Sequence, residues 1–189
     1  MAVQRYTIDK YGIVETNHVS FPKTGRVFAQ LPLKAEEFDA KTPCENGMWL
    51  VYDTINGNVH KPAAKTDVVG LIYSAEKEYN PYEAGLKNFA LVPGGMYPRI
   101  GLPMAMDTYT TNCFCYDTTE FTDDEAVKAA LAPETLKGTP VYLVPGTTDG
   151  APMMTKTKDD TEGVIAQVIK KTTMPDGTFG IKVQFIKGV

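Results

Sequence analysis

The feature that most constrains this chain is an internal repeat. Sliding the sequence along itself by 93 residues lays residues 49–72 over residues 142–165 without a gap. Leu50 meets Leu143, Val51 meets Val144, Thr54 meets Thr147, Gly57 meets Gly150, Lys65 meets Lys158, Asp67 meets Asp160, Gly70 meets Gly163 and Ile72 meets Ile165, and about a third of the overlaid positions are identical. Each copy reads as an apolar strand, a turn at Asn56-Gly57 or Asp149-Gly150, a less apolar stretch, and a glycine that opens a second apolar strand. Glycine serves where the backbone takes a positive φ in a turn, and again where a strand starts at a close approach or a bulge. All-β chains share apolar strands and glycine turns by chance. Lysines, aspartates and glycines matching at one offset favour duplication of a small β unit.

The other apolar runs agree. Met48–Tyr52, Val68–Tyr73, Val141–Val144, Val164–Ile169 and Phe179–Ile186 are short, rich in β-formers and bounded by Asn-Gly, Asp-Gly and Pro-Gly signals, the pattern of strands joined by tight turns. In the last run Ile181, Val183 and Phe185 alternate with Lys182 and Gln184, and Pro175-Asp176-Gly177 supplies the turn back to 164–169. Thr122-Asp-Asp-Glu125 reads as a capping box for a helix near 123–132, with Pro133 as its stop. A weaker helical stretch at 81–87 is more turn-like because of Gly85, and 93–103, with three prolines and three glycines, should be an ordered loop. Residues 1–35 carry Tyr6, Ile8, Tyr11, Val14, Phe21 and Phe28 without a clean period and read as an extended N-terminal arm that needs a surface to lie on. The expected fold is mainly β: two related small β-barrel- or sandwich-like units at 36–80 and 138–189, joined by a loop-rich insert at 81–137 with one short helix, and preceded by the arm at 1–35.

Composition narrows the functional classes. The 189 residues carry 43% hydrophobic and 22% charged side chains and a formal charge of −4, ordinary for a globular chain. Without a basic run, binding to a phosphate backbone is not expected. No stretch approaches the length of a membrane span, and the first ten residues lack the apolar core of a signal peptide. Cys44, Cys113 and Cys115 are an odd set, and Cys113 and Cys115, two apart on an extended chain, have poor geometry for a disulfide; a reducing compartment is the simpler expectation.

Constellations for chemistry are thin. His18 and His60 are the two histidines, and no Gly-x-Ser-x-Gly elbow accompanies them. Cys113-Phe-Cys115 has the wrong spacer for a zinc pair, and two same-facing thiols on a strand explain it better. Val92-Pro-Gly-Gly-Met96 lacks the Gly-Lys-Ser/Thr ending of a phosphate loop, and Lys158–Glu162 lacks the alternating oxygen ligands of a calcium loop. No catalytic residue, cofactor or metal is therefore assigned. Tyrosine is enriched, with ten copies against eight phenylalanines and one tryptophan, and Tyr73, Tyr79, Tyr82, Tyr97, Tyr109 and Tyr116 crowd the proline-stiffened middle third. Tyrosine on stiff irregular backbone gives large contact area at low entropic cost. Ordinary packing on a barrel exterior explains the tyrosines of the middle third equally well. Tyr6, Tyr11, Phe21 and Phe28 of the arm, with Tyr97 and Tyr109, are the candidate partner-binding residues.

Five segments, Glu45–Asp53 (ENGMWLVYD), Tyr73–Tyr79 (YSAEKEY), Gly85–Phe89 (GLKNF), Tyr97–Leu102 (YPRIGL) and Asp107–Asn112 (DTYTTN), resemble virion structural proteins of tailed bacteriophages. They are most similar to small head-associated proteins that decorate or cement a capsid. The resemblance covers roughly residues 20–120, and the glycine–strand–turn–glycine pattern of both repeats is similar to the β-barrels of phage decoration proteins. It implies a non-enzymatic virion protein, made in the bacterial cytoplasm, that binds the capsid exterior, contacts the major capsid protein or another virion protein, and forms a homo-oligomer. A tail component, a host-surface or carbohydrate-binding module, and a small hydrolase using Asp and His are the competing readings.

Overall fold

A computed structural model describes residues 2–15, 19, 21–74 and 86–189. His18, Tyr79, Tyr82 and most of the weak helical stretch at 81–87 lie outside the described residues. The described chain is mainly β. In chain order its strands are β1 (Val3–Arg5), β2 (Val27–Phe28), β3 (Cys44–Glu45), β4 (Trp49–Asp53), β5 (Asn58–His60), β6 (Gly70–Ile72), β7 (Ala90–Leu91), β8 (Ile100–Gly101), β9 (Thr108–Thr111), β10 (Cys115–Asp117), β11 (Tyr142–Val144), β12 (Met153–Thr155), β13 (Ile165–Thr173) and β14 (Phe179–Lys187). The helices are α1 (Phe21–Thr24), α2 (Asp124–Ala130) and α3 (Pro133–Gly138). One sheet runs β1-β10-β12-β11-β13-β14-β9, a second runs β2-β8-β6-β4-β5, and β3 pairs with β7. The sheets are open: β1 and β9, the ends of the larger one, are not hydrogen-bonded neighbours. The mainly β expectation holds, and of its barrel- or sandwich-like forms no closed barrel is present among the described residues.

The repeat is visible in the pairing. β4 lies between β5 and β6, antiparallel to both, and β11 lies between β12 and β13 in the same way. Val51 pairs with His60, and 93 residues later Val144 pairs with Met153, so the two hairpins have the same register. Their turn glycines, Gly57 and Gly150, both have positive φ, 68° and 86°. The third strands differ. Trp49 pairs with Leu71, whereas Tyr142 pairs with Gln167, three residues past the equivalent position. That slip accompanies contact between the copies: Gly163 N–H donates to Lys65 O at 2.9 Å, and a Cβ on Gly163 would lie 2.0 Å from Asp67 O. The Gly150 carbonyl also accepts from Trp49 N–H at 2.7 Å.

Two buried clusters fill the interior. One gathers Trp49, Tyr109, Phe114, Leu143, Ile181 and Phe185, the other Leu50, Ile100, Cys113, Val144, Met153 and Ile165. Each draws on both repeats and on the insert, whose strands β9 and β10 belong to the larger sheet.

The described residues of the 1–35 segment lie against the rest of the chain. β1 pairs with β10, Tyr6 N–H donates to Phe114 O at 3.1 Å, Val14 bridges to Thr111, and β2 pairs with β8. Tyr6, Val14 and Phe21 are core residues. Gly101 leaves room for the Phe21 ring, since a Cβ there would lie 2.3 Å from it. The surface that the arm needs is supplied by its own chain, where burying its aromatic area is favourable without a partner.

The helix near 123–132 is present as α2, capped one residue later than the sequence suggests, by Asp123 accepting from Ala126 N–H at 2.8 Å. Pro133 opens α3 instead of ending the helical region. Its fixed φ and missing N–H suit a first helical turn.

Candidate functional site

The six candidate contact residues do not converge on one surface. Tyr6, Phe21 and Tyr109 are core side chains, at most 4% exposed, and offer nothing to a partner. Phe21 and Tyr109 both pack on Phe185, with ring centroids 6.4 and 5.4 Å away. Tyr109 Oη accepts from Trp49 Nε1 at 3.0 Å, and burial pushes its pKa upward. Half-buried Phe28 tilts against Tyr52 at 5.3 Å, half-buried Tyr11 lines a cleft, and Tyr97 stands in the 93–103 loop, 48% exposed.

Nor do the groups singled out for chemistry form a reactive set. His60 Nδ1 lies 2.7 Å from Lys61 O, and Nε2 is 3.7 Å from an Asp53 carboxylate that already accepts from the N–H groups of Ile55 and Asn56. That is turn chemistry in the β4–β5 hairpin. The three thiols are buried, and desolvation pushes all of them up, Cys113 to about 12. A thiol so raised stays protonated at neutral pH and is a poor nucleophile. Among the described residues no group of three or more His, Cys, Asp and Glu could hold a metal ion, and no helix is long and apolar enough to cross a membrane.

Two other places are built with more care. The first is a cleft of about 470 Å³ whose lining includes Arg5. Arg5 Nη2 donates to Glu45 Oε2 at 2.8 Å and to Cys113 Sγ at 3.2 Å, while Nη1 donates to Asp149 Oδ2 at 3.2 Å. Glu45 also accepts from Gly12 N–H at 2.6 Å, and Asp149 from Ala151 N–H at 2.9 Å. This network joins β1, β3 and the second repeat's turn. Lys10, Lys41 and Lys61 also line it.

The second place is an exposed apolar edge. Met106 takes a φ of 76°, the one described non-glycine residue with positive φ, and is 73% exposed beside Met104 at 53%. A methionine in the left-handed region costs about 1 kcal/mol or more, so the neighbourhood must enforce it. Arg26 grips Asp107 with two bonds, Nη1 to Oδ2 at 2.7 Å and Nη2 to Oδ1 at 3.1 Å, and also donates to Leu102 O. Asp107 Oδ2 accepts from Met104 N–H at 2.8 Å. Met106 N–H donates to Phe185 O, Phe185 N–H to Asp107 O and Val189 N–H to Pro103 O, at 2.8–2.9 Å. Exposed Ile186 and Val189 thus lie beside the methionines, on backbone tied to the end of β14.

Neither place is announced by a motif. Arg5, Arg26 and Asp107 find their partners across 40 to 144 residues of chain, and no local spacing encodes such pairs. No family model, curated protein or solved structure matches the chain.

Proposed function

We propose that the protein is a structural component of a tailed-bacteriophage particle, bound to the capsid exterior as a decoration or cement protein. The observation that carries this reading is the clamped edge at Met104 and Met106. Backbone strain is held by an internal ion pair, and what it presents to solvent is unpaired apolar surface. Methionine adapts its shape to irregular partners, and strain kept at an exposed position is a mark of function. The resemblance of the five sequence segments to head-associated virion proteins supplies the partner, the major capsid protein or another virion protein.

An interface of about 800 Å² on each side is enough for a specific contact. Repetition over a symmetric shell then multiplies modest affinities. A closed cyclic oligomer of the chain fits such a lattice.

The test is cosedimentation of the purified protein with tailed-phage capsids that lack it, followed by heating of the pelleted particles. The wild type should pellet and raise the temperature at which the particles release DNA. The pair Met104→Ser and Met106→Ser should lower binding at least tenfold with little change in Tm of the free protein. Wild-type protein that stays in the supernatant at micromolar concentration, or a double variant that binds equally, contradicts the proposal.

A further inference from the structure

We infer that the Arg5 cleft is a receptor for a short acidic peptide segment. The protein has a formal charge of −4, yet this cleft gathers Arg5, Lys10, Lys41 and Lys61 against Glu45 and Asp149, four positive charges against two negative. The two carboxylates are spent on Arg5 and on the backbone N–H groups of Gly12 and Ala151. The lysines form no salt bridge among the described residues, although Lys61 is near enough to the Asp39 carboxylate to help hold its pKa down. Lys10 Nζ reaches Asn88 Oδ1 at 3.2 Å and lies over the Tyr11 ring, and Lys61 Nζ lies 5.1 Å from the Phe38 ring centroid. Among the described residues none of the three ammonium groups has a carboxylate within ion-pair distance.

The kind of anion follows from the same geometry. A compact phosphate is best held by a free guanidinium fork or a nest of N–H groups. Here both terminal nitrogens of Arg5 are already committed to protein acceptors. What remains is three point charges from segments far apart in the chain, at residues 10, 41 and 61. Separate point charges match carboxylates spaced along a peptide. Ile8, Pro43 and Met48 in the same lining offer a place for an apolar side chain between them. Binding by the isolated chain does not depend on the virion reading. Only the source of the segment, an acidic loop or tail of a neighbouring virion protein, rests on it.

The experiment is fluorescence anisotropy with a labelled peptide of sequence GDLEDG and its uncharged counterpart GNLQNG, followed by mapping of amide shifts on labelled protein. The acidic peptide should bind, weaken at least tenfold between 50 and 500 mM NaCl, and move the amides of Lys10, Lys41 and Thr42. The double variant Lys41→Glu with Lys61→Glu should lose at least tenfold in affinity, and Lys137→Glu on α3 should change nothing. Circular dichroism and Tm of each variant confirm folding. Equal binding of the uncharged peptide, shifts mapping elsewhere, an unaffected double variant, or displacement by inorganic phosphate at the peptide's own concentration each overturn the inference. Failure of all peptides to bind would do so too, while leaving particle binding through the Met104–Met106 edge to be judged by cosedimentation.

Discussion

Arg5 and Arg26 make the same kind of bond for opposite ends. Arg5 lines the cleft, 24% exposed, with Glu45 at 15% and Asp149 at 36%, and ties three segments of the chain beside a buried thiol. Arg26 and Asp107 are about as well covered, at 22% and 11%, but their bidentate pair fixes a short loop whose methionines point outward. One anchor closes the interior. The other ties down the backbone on which Met104 and Met106 stand exposed. An ion pair at intermediate burial is therefore not simply a stabiliser: its value depends on which groups are stranded when it is broken.

Breaking the first anchor should have the largest effect. Arg5→Met leaves Glu45 and Asp149 without their cation, and after allowance for their partial exposure it should cost about 2–4 kcal/mol, read as a lower urea midpoint. Arg26→Gln should cost about 1–2 kcal/mol, yet abolish most particle binding because Met104 and Met106 lose their fixed presentation. A larger stability loss for Arg26→Gln than for Arg5→Met would reverse the assignment of roles.

The comparison sharpens at Met106. Glycine accepts a φ of 76° without strain, so Met106→Gly should leave stability unchanged or raise it by up to about 1 kcal/mol while weakening attachment. Lower stability together with unchanged attachment would mean that the methionine packs on its own chain. The smallest effect concerns Cys113, whose pKa of about 12 in the fold stands against an ordinary 9.0 because burial disfavours the thiolate, although Arg5 pulls it down. A raised acid pKa favours folding while the thiol is protonated in both states. The contribution is full below pH 9 and is lost as pH climbs from 9 toward 12, because the unfolded chain gives up the proton first. By pH 9.5 the loss should be less than about 1 kcal/mol, and Cys113→Ala should flatten the fall in unfolding free energy between pH 8 and 9.5, read from urea midpoints, by that amount. An unchanged slope would show that this thiol does not couple to folding.

The runs that alternate or bear turn signals were legible as strands, and β4, β6, β11, β13 and β14 lie where those runs do. Asp176-Gly177 does turn the chain between β13 and β14, with Gly177 at φ 84° and Met174 N–H bonded to Thr178 O. The repeat was legible because a hairpin register is local: residues 51 to 60 carry what residues 144 to 153 carry again. The edge strand β1 was not legible, since Val3-Gln-Arg5 has no period and its partner lies more than a hundred residues away. The same holds for the parallel pairing of β10 with β12. Aromatic residues without a period looked like free contact surface in Tyr6, Phe21 and Tyr109, and are core because segments remote in sequence cover them. The cleft and the Met106 edge escaped for a related reason. Both are made by long-range ion pairs and by one backbone angle, and neither leaves a spacing to read.

Hydrogen exchange of the protein with and without capsids is the most direct measurement of the central claim, that this chain works by gripping a particle through a strained edge. Amides of residues 104–107 and 185–189 should slow in the presence of capsids while those at the tip of the β13–β14 hairpin keep their rates. Exchange that is identical with and without capsids throughout 104–107 and 185–189 would contradict it.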